Sequence, residues 1–458
     1  MINIFWFRKD LRVEDNTALK EFISFVSGQT GVQKNCAFIY IKNKNTFNFF
    51  GPKRIEFLLK SLMHLSGELN KLGFTLQILN GTSTDVFKKL KENYGGLNVY
   101  ANRQYEPYCI TRDRTINSLC NLNLFDDAML CPPLAIVKDD KSPYTVYTPF
   151  KNKFYSVTDA KQFSQVKTPL KKLQQQDVME ILFEGSEVLN GISPEGRGSA
   201  LKLLDSFIRN KICDYKNKRD FPAIEGTSRL SAHIHFGNVS IRECFTAAEK
   251  FHYEGAQVWK NQLLWREFYY NITYHFPHIM TNAFREKYDS IKWENDIEKF
   301  TKWKNGETGY PIVDAAMRQL REEGWMHNRL RMQAAMFLTK DLLIDWKWGE
   351  KYFAENLIDL DFANNNGGWQ WSASTGCDAQ PYFRIFNPGL QSKKFDANGE
   401  FIKKYIPELK DVPAKYIHSP HLWDKKTDYP QPAVDHLKMK EISIYLFRNA
   451  VNNQVNKI

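Results

Sequence analysis

Four side chains in one segment could bind a flat, polar ligand. In VWKNQLLWREFYYNITYHFPH they recur at three- and four-residue spacing, so a helix would bring them to one face. They are Gln262, Trp265, Arg266 and Tyr269. Aromatic rings can stack on a nucleic-acid base that is turned out of its helix, while polar groups hydrogen-bond the edge of that base. The alternative, which is commoner for this spacing, is a core stripe accompanied by a salt bridge.

A run of amides and glycines lies directly before two tryptophans. ANNNGGWQW (363–371) is unsuited to an apolar core, and its glycines allow a close approach of the backbone to a ligand. Asp359 and Asp361 lie just upstream, and Arg329 and Arg331 occupy the preceding predicted helix. A carboxylate–guanidinium pair buried beside a cofactor is one interpretation. A surface loop built of turn residues is the other.

The segment GTSRLS (226–231) combines a glycine, three hydroxyls and one arginine at a predicted helix start. Backbone amides and hydroxyls at such an end bind phosphate well. An ordinary capped helix explains this short segment equally well.

The first third of the chain alternates apolar runs with helical patterns. The predicted strands are INIFWF (2–7), CAFIYI (36–41), FTLQIL (74–79) and LNVYA (97–101). A helical pattern between them covers 55–73. Such alternation indicates a doubly wound parallel sheet, whose ligands lie beyond the carboxyl ends of the strands. The segment FRKDLR occupies such a position, and no GxGxxG fingerprint follows it.

The remainder of the chain divides into a connection and a helical half. Residues 131–193 are rich in proline and turn formers and predict a long connection poor in regular structure. Ser193 and Pro194 are typical of a helix start. Further predicted helices cover 256–275, 310–323, 326–343 and 349–357. The predicted fold class is α/β plus all-α, with an α/β domain over 1–130, a linker over 131–193 and a helical domain over 194–458.

Composition limits the classes of function. The formal net charge of +11 favours a polyanionic partner such as nucleic acid. The 7 cysteines are odd in number and form no CxxC pair, which favours a reduced cytoplasmic protein without a disulfide scaffold or a metal site. The first residues do not form a signal peptide, and no apolar stretch is long enough to predict a membrane span.

Four long segments in order and spacing resemble the photolyase/cryptochrome family. The resemblance begins at FWFRKDLRVEDNTAL (5–19) and is strongest in GYPIVDAAMRQLREEGWMHNRLRM (309–332) and NNGGWQW (365–371), which are similar to class I bacterial cyclobutane pyrimidine dimer photolyases. It implies an antenna domain, a helical domain that holds FAD, and repair of UV-damaged DNA by electron transfer from photoexcited, fully reduced FAD to a flipped-out dimer. A monomer with no membrane partner is expected.

The resemblance also implies which residues contact FAD. The cofactor-binding set would be Tyr215, Thr227, Ser228, Arg229, Leu230, Ser231, Trp259, Arg266, Asn328, Arg331, Asp359, Leu360, Asp361 and Asn365. Within it, Arg331 would pair with Asp359 near the flavin ring. Asn365 would face the flavin N5 atom, where a neutral amide adds no negative charge beside a reduced, anionic flavin.

The family pattern assigns roles in electron transfer and DNA binding as well. Trp369, Trp346 and Trp293 match an electron-hopping chain from the flavin to the surface, although tryptophans in a helical domain also serve as core packing. The residues that match dimer- or DNA-contacting positions are Arg219, Gln262, Trp265, Arg266, Tyr269, Asn328, Arg329, Met332, Trp371 and Gln391.

Two features depart from the class I pattern, and the first is the residue at position 262. Gln262 stands where a glutamate is usual, and glutamine there is typical of six-four photolyases and animal cryptochromes. His327 is followed by Asn328, as in the cyclobutane-dimer enzymes, whereas six-four enzymes carry two adjacent histidines. Cyclobutane dimers are therefore the expected lesion. The alternatives are a six-four photolyase and a blue-light-sensing cryptochrome without repair activity.

The antenna site is the second departure. Tyr108 and Cys109 replace the Asn-Glu pair of folate-binding enzymes. YEPY and Arg54 are similar to deazaflavin-binding relatives, but His235 and Gln104 replace the lysine and aspartate of that pocket. The second chromophore, methenyltetrahydrofolate or a deazaflavin, is left open, and so is an empty pocket.

Overall fold

A computed structural model describes residues 1–29, 35–169, 173–189 and 193–455, without the side chains of 160, 161 and 452–455. The chain forms two compact units. The first comprises Met1–Tyr144, Thr148–Cys213 and Ser228–Tyr274, and the second comprises Thr145–Tyr147, Asp214–Thr227 and His275–Ile458. The domain division at residues 130 and 193 stays a prediction. Parts of the predicted linker, 170–172 and 190–192, and the last residues, 456–458, lie outside the described residues.

The first unit contains a five-stranded parallel sheet in the order β3-β2-β1-β4-β5. Its strands are β1 (Ile2–Phe7), β2 (Cys36–Lys42), β3 (Leu76–Asn80), β4 (Leu97–Asn102) and β5 (Asn121–Phe125). The predicted α/β class and the four predicted strands are confirmed, and β5 was missed.

Helices cover both faces of this sheet because side chains alternate along each strand. Phe5 and Phe7 pack in one cluster with Phe22, whereas Ile4 and Trp6 pack in another. The helices of this unit are α1 (Thr17–Gly28), α2 (Lys44–Phe49), α3 (Pro52–Asn70), α4 (Ser83–Tyr94), α5 (Pro107–Asn117), α6 (Tyr147–Val157), α7 (Arg197–Asn210), α9 (Ser231–His235), α10 (Ile241–Glu249) and α11 (Glu254–His275).

Side-chain amides of β1, β4 and β5 hydrogen-bond one another, which explains why asparagines recur in β5. Asn98 in β4 donates to the Oδ1 of Asn3 at 3.0 Å, and its own Oδ1 accepts from Asn121 at 2.8 Å and from Asn123 at 2.9 Å. These bonds satisfy polar groups that would otherwise be costly in a sheet interior.

Two expectations for the connecting region were wrong. The helix predicted to begin at Pro194 begins at Arg197, because Ser193 accepts from the backbone of Glu195 in a turn instead of capping a helix. The region also contains α6, in which Phe150 packs on Phe268 of α11 at a ring distance of 5.5 Å.

The second unit is helical, as predicted. Its helices are α8 (Tyr215–Lys218), α12 (Ile297–Asn305), α13 (Pro311–Glu323), α14 (Asn328–Met336), α15 (Trp346–Asn356), α16 (Phe362–Ala373), α17 (Pro388–Phe395), α18 (Glu400–Tyr405) and α19 (His436–Val455). The predicted helix 326–343 is shorter, since a π-helical turn over Phe337–Asp341 follows α14. In the described part of the chain, no helix is sufficiently long and apolar to span a membrane.

A buried charge network holds the carboxyl end of the sheet in the first unit. Asp127 follows β5 and pairs with Arg12, and at 2.7 Å with Arg242 of α10. Arg242 also contacts Asp15 at 3.1 Å. Burial alone would raise the pKa of Asp127, but the two guanidinium groups hold it well below its usual range.

Removing the central carboxylate should destabilise this unit strongly. Asp127→Ala leaves two buried guanidinium groups without their shared partner, at a cost of about 3–5 kcal/mol. Urea unfolding of the full chain measures this loss. The control is Asp205→Ala: Asp205 is exposed and pairs with Arg209 of the same helix, so its loss should cost less than about 1 kcal/mol. Equal losses in both variants would contradict the network's importance.

Candidate functional site

The amide-rich segment of the second unit is a helix, so the surface-loop interpretation is wrong. α16 begins at Phe362 because Asp361 accepts a hydrogen bond from the backbone of Asn364 at 3.0 Å and acts as its N-cap. The Asp361 carboxylate therefore stabilises the start of the helix. The space where a Cβ of Gly368 would lie has no atom within 4 Å, so this glycine leaves room for a ligand.

The predicted ion pair forms in the same unit. The Nη2 of Arg331 donates to both carboxylate oxygens of Asp359, at 2.7 and 3.0 Å, and its Nε donates to the backbone oxygen of Met326 at 2.9 Å. The Asp359 side chain is only 2% exposed, so the pair is largely shielded from water. A carboxylate held in this way presents a fixed charge to any bound ligand.

Asn365 has one side of its amide fixed by the neighbouring helix. Its Nδ2 donates to the backbone oxygen of Glu350 in α15 at 3.1 Å. Within the described part of the chain, no group donates to its Oδ1. The amide oxygen is therefore oriented and available, as an acceptor beside a protonated flavin N5 would need to be.

The three predicted electron-transfer tryptophans belong to the second unit and differ in burial. Trp369 and Trp346 are each 2% exposed and lie within one core cluster, and Trp293 is partly buried and packs against that cluster. The ring of Trp369 contacts Trp303 at a centroid distance of 6.1 Å. Sequence reasoning did not select Trp303, which is fully buried.

The four-residue face of α11 lies in the first unit and is not a core stripe. Gln262, Trp265, Arg266 and Tyr269 are all partly exposed, whereas the neighbouring positions of the helix are buried. The Trp265 and Tyr269 rings lie 5.6 Å apart. The predicted shared face is therefore present and accessible, with an aromatic pair beside polar groups.

The salt bridge that was expected to accompany a core stripe is present too, but it has a structural function. Glu267 pairs with Arg266 at 3.1 Å and accepts from the backbone of Leu130 at 2.8 Å and of Cys131 at 3.4 Å. It is 1% exposed. Burial raises the pKa of Glu267 to about 7, although Arg266 opposes this rise. Glu267 thus attaches the chain beyond the sheet to α11.

The predicted phosphate-binding segment spans the boundary of the units: Thr227 belongs to the second, and residues 228–231 belong to the first. Helix α9 begins at Ser231, as predicted, and Ser228 accepts from the backbone of Leu230 at 3.5 Å. Arg229 has a φ of +55°, in the left-handed region that non-glycine residues rarely adopt. Such strain is typical of functional segments.

Two further predicted flavin residues are buried aromatics. Trp259 in the first unit is 3% exposed and lies 4.8 Å from the ring of Phe207. Tyr215 in the second unit is buried beneath the guanidinium of Arg219, which lies 5.5 Å from its ring.

Asp220 lies beside two arginines of the second unit that were predicted to contact DNA. Sequence reasoning did not select Asp220. Arg329 pairs with Asp220 at 2.8 Å, and Arg219 approaches the same carboxylate at 3.7 Å. Arg329 also lies over the ring of Phe395 at 4.5 Å. Of the other predicted DNA-contacting residues in this unit, Asn328 is exposed, and Met332, Trp371 and Gln391 are partly exposed.

A charged cavity of about 510 Å³, including its open mouth, lies within the first unit at the carboxyl end of the sheet. Gln104 and His235, which were predicted for the antenna pocket, line it together with Lys9 and Glu106, which pair at 2.5 Å. Arg54 does not line this cavity. It is buried elsewhere, beside the ring of Phe50. Among the described residues, no cluster of histidine, cysteine or carboxylate side chains could hold a metal ion.

Two family models match the chain. The model described as DNA photolyase covers residues 3–171, and the model described as the FAD binding domain of DNA photolyase covers residues 259–449. The class that these matches define is an FAD-binding flavoprotein.

Individual relatives match over nearly the whole length. The deoxyribodipyrimidine photo-lyase of Vibrio cholerae is 38% identical over 98% of this chain and 100% of that protein. A class III photolyase from Agrobacterium tumefaciens has a TM-score of 0.87 at 33% identity, covering 98% of each chain. An archaeal photolyase from Sulfolobus tokodaii, with two FAD molecules, has a TM-score of 0.80 at 33% identity, covering 98% of this chain and 100% of that one. The chain belongs to the DNA photolyase family.

Buried polar atoms of the second unit fit a bound cofactor. In the described structure, the Nε of Arg329, both amide atoms of Gln333 and the Nε1 of Trp369 are buried without a hydrogen-bond partner. They lie on α14 and α16, the helices that carry several predicted FAD residues. Unsatisfied buried groups are costly, and a polar ligand or ordered water would remove that cost.

Glu267 should make stability depend on pH. Its pKa is raised on folding, so between about pH 4.5 and 7 the unfolded chain releases a proton that the folded chain retains, and stability falls as pH rises. Glu267→Gln should flatten this part of the profile, by roughly 1 kcal/mol per pH unit at most. Urea unfolding at several pH values measures it.

The matched control is Glu254→Gln, which changes an exposed carboxylate of the same helix. Its profile should follow that of the wild type. A Glu267→Gln profile parallel to that of the wild type would show that the carboxyl is not protonated on folding.

Proposed function

We propose that this protein repairs cyclobutane pyrimidine dimers in DNA by light-driven electron transfer to a dimer turned out of the helix. The observation that carries the proposal is the oriented amide of Asn365 on the same helix as the buried indole of Trp369. Reduced FAD, when bound, would supply the light-absorbing electron donor. A neutral amide suits a reduced, anionic flavin, whereas a carboxylate at this position would repel it.

The residues proposed to hold FAD are those that match the family pattern. In the second unit these are Tyr215, Thr227, Asn328, Arg331, Asp359, Leu360, Asp361 and Asn365. In the first unit they are Ser228, Arg229, Leu230, Ser231, Trp259 and Arg266. The Arg331–Asp359 pair supports this assignment, because its fixed guanidinium can donate to a polar ring edge.

DNA binding would rely on cations held in place and on accessible rings. Asp220 pairs with Arg329 and lies near Arg219, so that the Arg329 guanidinium is oriented before phosphate arrives and a second one is close to the same carboxylate. The Trp265 and Trp371 rings would pack on the dimer, and Gln262 would hydrogen-bond its edge. The net charge of +11 favours this partner and predicts an affinity that falls with salt. We also propose a monomer located in the cytoplasm.

The cavity of the first unit is the proposed site of a second, light-harvesting chromophore. Polar and charged side chains line it, and two of them stand at positions of the antenna pocket in the family pattern. Gln104 and His235 line the cavity but replace the aspartate and lysine of deazaflavin-binding relatives, so a deazaflavin and methenyltetrahydrofolate both stay open, as does an empty pocket. An absorption spectrum of the purified protein separates the two, since a band beyond those of flavin identifies the chromophore.

Gln262 should limit the efficiency of dimer repair. Glutamine can hydrogen-bond a thymine edge but cannot supply a proton, so Gln262→Glu should increase the yield of repaired cyclobutane dimers per absorbed photon. The assay illuminates oligonucleotides that carry either a cyclobutane dimer or a six-four lesion and measures which is restored. We expect the wild type to restore the first.

Other outcomes of this assay distinguish the alternatives. Restoration of the six-four lesion alone would identify a six-four photolyase. If neither lesion changes under blue light with reduced FAD, the repair proposal fails and a light-sensing role takes its place. Gln257→Glu is the matched control, since it makes the same change at an exposed position of α11 outside the predicted dimer-contacting set.

Trp369→Phe should block the light-driven reduction of oxidised FAD, because phenylalanine is far harder to oxidise than indole. Repair by protein reduced chemically beforehand should be largely retained. Flavin absorbance during illumination measures the first, and the oligonucleotide assay measures the second.

Trp303→Phe is the matched control, since it removes a buried indole in contact with Trp369 that lies outside the predicted chain. It should leave photoreduction near the wild-type rate. Wild-type photoreduction in Trp369→Phe would overturn the assignment of Trp369.

A further inference from the structure

Glu350 contacts two neighbouring amides of α16 with two different groups. Its backbone oxygen accepts from the Nδ2 of Asn365 at 3.1 Å, and its side-chain Oε1 accepts from the Nδ2 of Asn366 at 3.0 Å. Residue 350 therefore fixes the orientation of the Asn365 amide and is hydrogen-bonded to the residue beside it. Sequence reasoning did not select Glu350, because it lies 15 residues from Asn365.

Asn366 has several hydrogen-bond partners, so it fixes the Glu350 carboxyl to which it donates. Its Nδ2 also donates to the backbone oxygen of Ile279 at 3.0 Å, and its Oδ1 accepts from Gln370 at 3.0 Å. Gln370 in turn accepts from the backbone of Phe284 at 2.7 Å. Asn366 is 1% exposed. The Glu350 carboxyl thus ends a chain of amides that has little freedom to rearrange.

The Glu350 carboxyl can change its charge near neutral pH. Its pKa is raised to about 7, chiefly by burial and also by the charge of Asp345, while the hydrogen bond from Asn366 and the charge of Lys347 oppose the rise. Asp345 and Lys347 lie at the start of α15, and α16 presents only neutral amides to Glu350. A new negative charge near Asn365 would therefore favour the protonated carboxyl.

We propose that Glu350 has two roles. Its backbone oxygen positions Asn365, and its carboxyl takes up a proton from solvent when negative charge accumulates at the flavin. The proton would bind at Oε2, since Oε1 accepts from Asn366. One carboxylate and one solvent proton give one neutral carboxyl, and the proton returns to solvent when the charge is removed. The inference rests on the proposed function for the identity of the cofactor.

Glu350→Gln provides the test because glutamine keeps an acceptor for Asn366 and cannot titrate. In protein bound to FAD, the flavin midpoint potential of the wild type should depend on pH more steeply between about pH 6 and 8 than that of Glu350→Gln. The additional dependence of the midpoint potential on pH should be lost in Glu350→Gln. Glu355→Gln, which changes another carboxylate of α15, is the matched control and should keep it.

A second readout does not need the cofactor. Infrared spectra of the cofactor-free protein should contain a band of a protonated carboxyl that titrates near neutral pH. Glu267 contributes to this band as well, so the band should become weaker in Glu350→Gln by the contribution of one carboxyl and should keep its intensity in Glu355→Gln. Glu350→Asp, which keeps a titratable group, should keep a pH-dependent potential, and it serves as the test variant should Glu350→Gln fail to fold.

The outcomes separate this inference from the proposed function. An unchanged potential slope and an unchanged carboxyl band in Glu350→Gln would overturn the inference, even where dimers are repaired. A Glu350-dependent slope in a protein that restores neither lesion would support the inference and overturn the repair function. A Glu350→Asp variant without the slope would also contradict it, because the role requires only a titratable carboxyl.

Discussion

The candidate site of the second unit depends on the close contact between Gly349, which has no side chain, and the ring of Trp369. A Cβ at Gly349 would lie 2.0 Å from the Cη2 of Trp369 and 2.6 Å from the Cδ2 of Leu338, so no other residue fits there without displacing the indole. Because Gly349 allows α15 to approach α16, the next residue, Glu350, reaches Asn365. The position of the indole and the orientation of the amide therefore follow from the same close packing.

Periodicity predicted the elements whose patterns are unambiguous. β1 has the predicted bounds because a largely apolar run that ends at charged residues is typical of a buried parallel strand. β5 was missed because its sequence, NLNLF, alternates asparagine with leucine, and the partners of those asparagines, Asn98 and the backbone of Val99, lie on the neighbouring strand. Helix α6 was missed because its stability comes from ring contacts with distant residues, which local propensity does not contain.

The same limit applies to the candidate site. The shared face of α11 could be predicted, since three- and four-residue spacing fixes which side chains are neighbours on a helix. The Arg331–Asp359 pair was inferred through family resemblance. Asp220 and Glu350 were not found, because each has a partner far from it in the sequence, Arg329 for Asp220 and Asn365 for Glu350. Spacing along a helix specifies a face, whereas the partners of that face depend on how helices pack.

The outermost predicted indole of the electron path depends on the last helix. Trp293 lies 5.9 Å from the ring of Phe447 in α19, and the first residue of that helix, His436, is held by Asp341 at 2.5 Å. Anything that loosens α19 alters the surroundings of the ring from which electrons would enter. For attachment to an electrode, immobilisation through the exposed amino terminus would leave that entry undisturbed, whereas a linker at the carboxyl end would pull on the helix that covers it.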